Sequence, residues 1–148
     1  MAFIDTMNGE NPKFLEAMRI SLQKCTEESL KKFDTLPVFN NDPSLVKAGT
    51  EALQFFELES RDKFPIVVDY YQKKEKFDRQ NAALNNIPQK DRSQKMIDSY
   101  NANLNALNEV INKYNDTNQE LNNMRMAVIN KYNKAINDFF DRNTPKLK

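Results

Sequence analysis

The sequence contains no histidine and no tryptophan, one cysteine, and two glycines among 148 residues. Each scarcity closes a class of fold or function. Without histidine, a Ser–His or Cys–His nucleophile pair is impossible. The zinc, haem and di-iron centres that helix bundles carry lose their usual ligands. A single cysteine, Cys25, cannot form an internal disulfide, so no redox compartment can be read from it. Gly9 and Gly49 stand forty residues apart, which removes a glycine-rich phosphate loop and argues against a β-rich fold. No apolar run approaches the roughly 18 residues of a membrane span. Charge of either sign is balanced, 22 Lys and Arg against 21 Asp and Glu, so no global field draws the chain to nucleic acid or an anionic surface.

What is present is helical periodicity. A hydrophobic share of 39% with 29% charged residues suits one packed, helix-rich domain over residues 1–148. From about Met96 to Phe140, Ile97, Tyr100, Leu104, Leu107, Ile111, Tyr114, Asn118, Leu121, Arg125, Val128, Tyr132, Ala135 and Phe139 alternate by three and four without a slip. That is the seam of a helix packed lengthwise on partners, and no Gly or Pro interrupts it. Within it, Val110-Ile111-Asn112-Lys113-Tyr114-Asn115 recurs as Val128-Ile129-Asn130-Lys131-Tyr132-Asn133. The offset of 18 residues is five turns, so both copies present one face, as one seam solution used twice.

Earlier in the chain, residues 1–11 read as a short turn or frayed extension carrying Phe3, Ile4 and Met7. Asn11-Pro12 is a helix start, a capping side chain before Pro at the first helical position. The spacing predicts a first helix over 12–35 with a stripe of Phe14, Met18, Leu22, Cys25, Ser29 and Phe33, widened by Leu15, Leu30 and Leu36, and Cys25 buried as a small hydrophobe. Asp42-Pro43 repeats the start signal, and a second helix runs over 43–86, kinked at Pro65. Asn85-Asn86-Ile87-Pro88 is the next turn, and the long helix follows over 89–142, ended by Thr144-Pro145.

These lengths predict an all-α fold: three long antiparallel helices forming a bundle that narrows to a two-helix coiled-coil hairpin. With the turn near residue 87, facing positions on the two long helices sum to about 175. The first helix then lies against residues 43–64 and about 112–140. A four-helix up-down bundle results instead if Asn115-Asp116-Thr117-Asn118 is a turn.

Only carboxylates remain as general acid or base candidates. Glu57, Glu59 and Asp62 cluster, and Glu59 falls near the apolar stripe, where it reads as an edge residue paired with Lys63 more readily than as a catalytic acid. Arg125 and Asn118 interrupt the long seam as register-setting polar residues. The facing rule places Arg125 opposite Glu51. Residues 61–95 hold nine bases against five acids, with Tyr70, Tyr71 and Phe77 interleaved. The mixed acids read as ordinary exposed pairs rather than a nucleic-acid surface. Asn115-Asp116-Thr117 matches a glycosylation sequon inside a helix. Twelve asparagines along the long helix, from Asn101 to Asn137, are mediocre helix formers; an AT-rich coding bias explains them as simply as function does, and an exposed amide-rich face for a partner or a polysaccharide is the alternative.

The run Asn122-Asn123-Met124-Arg125-Met126-Ala127-Val128-Ile129-Asn130-Lys131-Tyr132-Asn133-Lys134-Ala135-Ile136-Asn137-Asp138-Phe139-Phe140, closing with Thr144-Pro145-Lys146, resembles the end of a family of small helical bacterial surface lipoproteins of unknown function. The shared theme is a repeated Tyr-Asn, an Arg before an Asn-x-aromatic-Asn step, a late aromatic and a closing Pro-Lys, over about the last 50 residues. The resemblance implies an envelope-attached helical domain whose signal and lipidated cysteine lie outside this sequence, and it brings no catalytic residue. Cys25 itself, after Leu22-Gln23-Lys24, lacks the small pair that precedes a lipidated cysteine. The expectation is therefore a non-enzymatic domain with a structural or protein-interaction role at the cell envelope, periplasmic or surface. It has no catalytic, cofactor or metal site, meets an unknown protein or surface partner, and reaches a membrane only through a lipid anchor. It is a monomer or weak dimer and binds no nucleic acid. A cytosolic helical adaptor or chaperone binding a partner helix is the alternative.

Overall fold

A computed structural model describes residues 11–145; the expected turn at residues 1–10 and the basic tail Lys146–Lys148 lie outside the described residues. The described chain is all-α. Helix α1 spans Pro12–Phe33, α2 Ser44–Leu58, a π-helical turn Glu59–Lys63, α3 Phe64–Asn85, a 3-10 turn Gln89–Asp91, and α4 Gln94–Asn143.

The start of α1 follows from its sequence: the Asn11 side chain accepts from the Lys13 N–H at 2.9 Å, and Pro12 occupies the first turn. The helix ends two residues earlier than its pattern, where Thr35 turns its N–H and hydroxyl onto the Lys32 carbonyl. Its buried line is also rotated from the expected stripe. Leu15, on the widened edge of that stripe, is buried together with Thr26, while Phe14 and Cys25 are exposed. Cys25 is thus not a core hydrophobe. The reason lies in two polar residues that apolar counting passes over. Thr26 buries its hydroxyl by donating to the carbonyls of its own helix, and Arg19 turns inward to a partner described below.

Between α1 and α2, Asn40 and Asn41 both have positive φ (49° and 56°), a conformation asparagine tolerates best among residues with a Cβ. They close a tight turn in which the Asp42 N–H donates to the Phe39 carbonyl at 2.8 Å. Helix α2 begins one residue past the expected Pro43, with the Asp42 carboxylate accepting from the Ser44 N–H at 3.1 Å.

Pro65 does not end the rod, but the chain does not pass it as a regular α-helix. The turn before it widens to π geometry, in which the Phe64 N–H donates to the Glu59 carbonyl five residues back. Proline has no N–H to give and would crowd a carbonyl in an α-helical register. The wider turn lets the rod continue through it.

Helix α4 runs unbroken through Asn115–Asn118, so no fourth long helix forms there. Its seam follows the predicted stripe. Leu107, Leu121 and Phe139 are buried; Tyr100, Leu104, Ile111, Tyr114, Asn118, Arg125, Val128, Tyr132 and Ala135 are half-buried; only Ile97 is exposed. Val110 and Thr117 are buried as well, so the covered stripe is wider than the heptad line. Of the repeated hexapeptides, the first is covered more fully: Val110 is buried, while Ile129 in the second is exposed.

Register is where expectation and structure part. Glu59 meets Arg125, Lys63 meets Glu120, Tyr70 meets Tyr114, Glu51 meets Lys131 and Asp42 meets Arg142, so paired numbers sum to 182–184 rather than about 175. Nearer the turn the offset is smaller, with Phe77 meeting Tyr100 at a sum of 177, and Gln89–Asp91 folds as a separate 3-10 turn. Then Ser93, not a residue near 88, caps α4 by accepting from the Met96 N–H. Helix α1 makes its near backbone approaches to α2, the π turn and α3, and α4 makes its own to the same three elements. Among the described residues α1 and α4 have no near backbone approach; they meet through one core of Leu15, Phe55, Phe64, Val67, Val68 and Leu121, against which Leu22, Tyr114, Met124 and Val128 pack.

Candidate functional site

The carboxylates singled out in the sequence lie at or beside the π-helical turn. Ser60 is fully enclosed there and Glu59 is 2% exposed. The Ser60 hydroxyl donates to the Glu57 carbonyl at 2.9 Å. The Ser60 carbonyl is in a harder position. Its α-helical donor, the Phe64 N–H, is turned to Glu59, and its π-helical donor would be residue 65, a proline. Arg19 of α1 fills the gap, donating to that carbonyl at 3.1 Å. Its guanidinium is held by both carboxylate oxygens of Glu16, at 2.7 and 2.9 Å, and by Gln23 at 3.0 Å. The hydrogen bond from Arg19 holds the Glu16 carboxyl below its ordinary range.

One residue earlier, the Glu59 carboxylate points into the core and meets the Arg125 guanidinium of α4. Burial pushes the Glu59 carboxyl above its ordinary value, and Arg125 opposes that rise through its charge and its hydrogen bond. Arg125 also donates to Asn122 at 3.2 Å. The expected partners were otherwise: Glu51 for Arg125, and Lys63 for Glu59. The shifted register gives Glu51 to Lys131, and Lys63 reaches Glu120 at 2.6 Å.

The other two carboxylates of the sequence cluster face outward. Arg61 takes Glu57 at 2.7 Å and Asp62 at 2.9 Å, and its hydrogen bond holds the Asp62 carboxyl below the ordinary range. Glu57, Glu59 and Asp62 therefore do not converge on a common point, as a pair of acid and base groups would have to. What the arrangement does is join three helices. Arg19 ties α1, and Arg125 ties α4, to adjacent residues of one irregular turn.

Two further polar or aromatic clusters flank this centre. Toward the start of α1, Tyr70 stacks on Tyr114 with centroids 4.1 Å apart, and Tyr71 meets both rings edge-on. Burial and the hydrogen bond with Tyr114 push the Tyr71 hydroxyl above its ordinary value. At the other end, Asp42 collects the Ser44 N–H, Arg142 at 2.9–3.0 Å and Asn143 at 3.0 Å. The Ser44 hydrogen bonds, then Arg142 and Asn143, hold its carboxyl far below the ordinary range.

Arg19, Ser60 and Asp42 were not singled out as site residues by sequence reasoning. The signal that could have found Arg19 is Pro65 itself, since a proline inside a rod orphans a carbonyl that some donor must meet. Among the described residues no group of three or more His, Cys, Asp or Glu is placed to hold a metal ion, and no helix is long and apolar enough to cross a membrane. Thr117 of the sequon is buried inside α4. No family model matches the chain, and no curated protein or solved structure matches it significantly.

Proposed function

We propose that this chain is a non-enzymatic helical domain with a structural or protein-interaction role at the bacterial cell envelope. In this reading α1, the kinked α2–α3 rod and α4 form a three-helix bundle that narrows to a two-helix coiled-coil hairpin. The observation that carries it is how the outer part of α3 and the first part of α4 are held. Phe77 packs on Tyr100 with centroids 5.3 Å apart, Gln80 accepts from Asn103, and Gln80 donates to Ser99 at 2.7 Å. These are seam interactions between two helices, the economy of a projecting arm. The burial of Glu59 against Arg125 supports a scaffolding role for the one carboxylate placed nearest the core. The envelope location rests on the resemblance of the run 122–146, most of which lies on α4.

The native gene product tests this reading. After cell fractionation it should travel with membranes and incorporate labelled fatty acid. A soluble, unlipidated product would sink the envelope assignment.

One observation favours the second reading, a cytosolic adaptor or chaperone that takes a partner helix. Phe33, Ala52, Leu53, Phe56, Val128 and Tyr132 line an apolar groove of about 220 Å³ between α1, α2 and α4. That reading predicts concentration-dependent dimerisation of the purified chain.

A further inference from the structure

Helix α4 carries a second stripe beside its buried seam. Asn101, Asn105, Asn108, Asn112, Asn115, Gln119 and Asn122 step by four and three, and Met126, Ile129, Asn133, Ile136 and Phe140 continue in the same phase. The helix is unbroken through both halves, so the stripe runs for roughly 60 Å along one side of it. Every one of these residues is exposed except Ile136, which is half-buried; Met126 is 61% exposed and Phe140 57%. No charged residue falls on the stripe, although Glu109, Lys113, Asp116, Glu120, Lys131 and Lys134 are exposed on the same helix beside it. An excess of asparagine in the composition does not produce that segregation, because Asn123, Asn130 and Asn137 lie among the charges. Among the described residues, Asn122 alone of the stripe's amides up to that point makes a side-chain hydrogen bond, accepting from Arg125 at 3.2 Å.

An exposed, uncharged stripe at this spacing is a coiled-coil seam without its partner helix, and its two chemistries select the partner. The amide of Asn or Gln holds both an acceptor and donors. A row of amides therefore complements its own copy, as a row of like charges cannot. A parallel, in-register copy sets amide on amide, and sets Met126, Ile129 and Phe140 on themselves. An antiparallel copy laid along the whole stripe sets those apolar side chains on amides and strands the amides' hydrogen bonds. We propose that two copies of this chain associate through this stripe of α4 as a parallel, in-register dimer. The inference goes beyond the proposed role, since it needs neither the envelope nor a foreign partner, and its failure leaves that role to be tested by fractionation.

Sedimentation equilibrium of the full chain over a wide concentration range reads the association. A reversible monomer–dimer equilibrium is expected. Asn115→Glu/Met126→Glu sets like charges against each other across the dimer axis and should weaken it by about tenfold or more. Ala127→Glu, off the stripe, should leave it unchanged, and Asn112→Leu should tighten it, because an amide in such a seam costs stability. In a Cys25→Ser background, Asn112→Cys and Met126→Cys should each form a disulfide to their own copy under mild oxidation. Parallel chains in register link at both positions, and an antiparallel pair at one at most. All the substituted positions are exposed in the single chain, and an unchanged helical circular dichroism spectrum verifies folding. A chain that stays monomeric throughout overturns the proposal. So does association that persists in the double variant, which would move the contact to another surface, and so does linkage at only one of the two cysteines.

Discussion

Arg125 cannot be removed without leaving the Glu59 carboxylate buried and unpaired. Breaking a buried pair from one side costs about 3–5 kcal/mol, whereas replacing both members with apolar residues of similar volume is often near neutral. Arg125→Met should therefore lower stability by about that amount in urea denaturation, and Glu59→Leu/Arg125→Met should recover most of it. The pH dependence has a definite sign. A carboxyl held above its ordinary value of 4.5 stabilises the fold below that value and loses the contribution as pH rises through its raised value. Without Arg125 the rise becomes larger, so the deficit of Arg125→Met relative to wild type should grow between about pH 5 and pH 8. Asp42 works in the opposite direction. Its lowered value gives stability that is present above 3.8 and lost as pH falls toward the lowered one. Asp42→Asn should flatten the acid limb of a plot of melting temperature against pH; an unchanged limb would mean the Ser44, Arg142 and Asn143 contacts do not persist in solution.

At the scale of elements, the π-helical turn is the feature that couples the three helices, and its logic can be tested by returning the missing donor. Arg19→Ala strands the enclosed Ser60 carbonyl and should cost about 1–3 kcal/mol. Pro65→Ala restores an N–H, so the double variant should be less destabilised than the sum of the singles, with a coupling of about 0.5–3 kcal/mol in a double-mutant cycle. Strict additivity would show that Arg19 does not serve that carbonyl. Gly49 marks a second close approach. A Cβ there would lie 3.1 Å from Phe33 Cζ and nearer still to Cε1. Helix propensity favours alanine by about 1 kcal/mol, and overpacking costs about 1–3 kcal/mol. Gly49→Ala should thus destabilise or at best break even alone, and become stabilising in a Phe33→Leu background, as thermal melts would record.

Much of this scale was legible in the sequence. The α4 stripe was, because three- and four-residue spacing over fifty residues leaves one solution, and the Asn11-Pro12 start was, because capping is local. The π turn was not, because its orphaned carbonyl is met by Arg19 from 41 residues away. Glu59 and Arg125 were both singled out, but each was given the wrong partner. Pairing depends on the register of the whole rod, and both the 3-10 turn before the Ser93 cap and the π-helical turn alter it. The inward line of α1 was misplaced at Phe14 and Cys25 because the buried Thr26 and the half-buried Arg19 turn inward through hydrogen bonds, which hydropathy does not register.

For the whole molecule, the proposed division is a bundle near the core of Leu15, Phe55, Phe64, Val67, Val68 and Leu121 and an arm that ends at the turn between α3 and α4. Helix α4 alone, with 50 residues, spans roughly 75 Å at 1.5 Å per residue, so the arm holds the tip well away from the bundle. A two-helix segment has one seam and no third layer, and its backbone hydrogen bonds should open at lower free energy than those of the bundle. Native-state hydrogen exchange measured by mass spectrometry tests this directly. Peptides from the outer part of α3, beyond Tyr71, and from α4 before Leu107 should exchange together and early. Peptides from α1, from the π turn with the start of α3, and from α4 between Tyr114 and Val128 should exchange late, and together. Uniform protection along α3 and α4, or early exchange at the π turn, would contradict the division into bundle and arm.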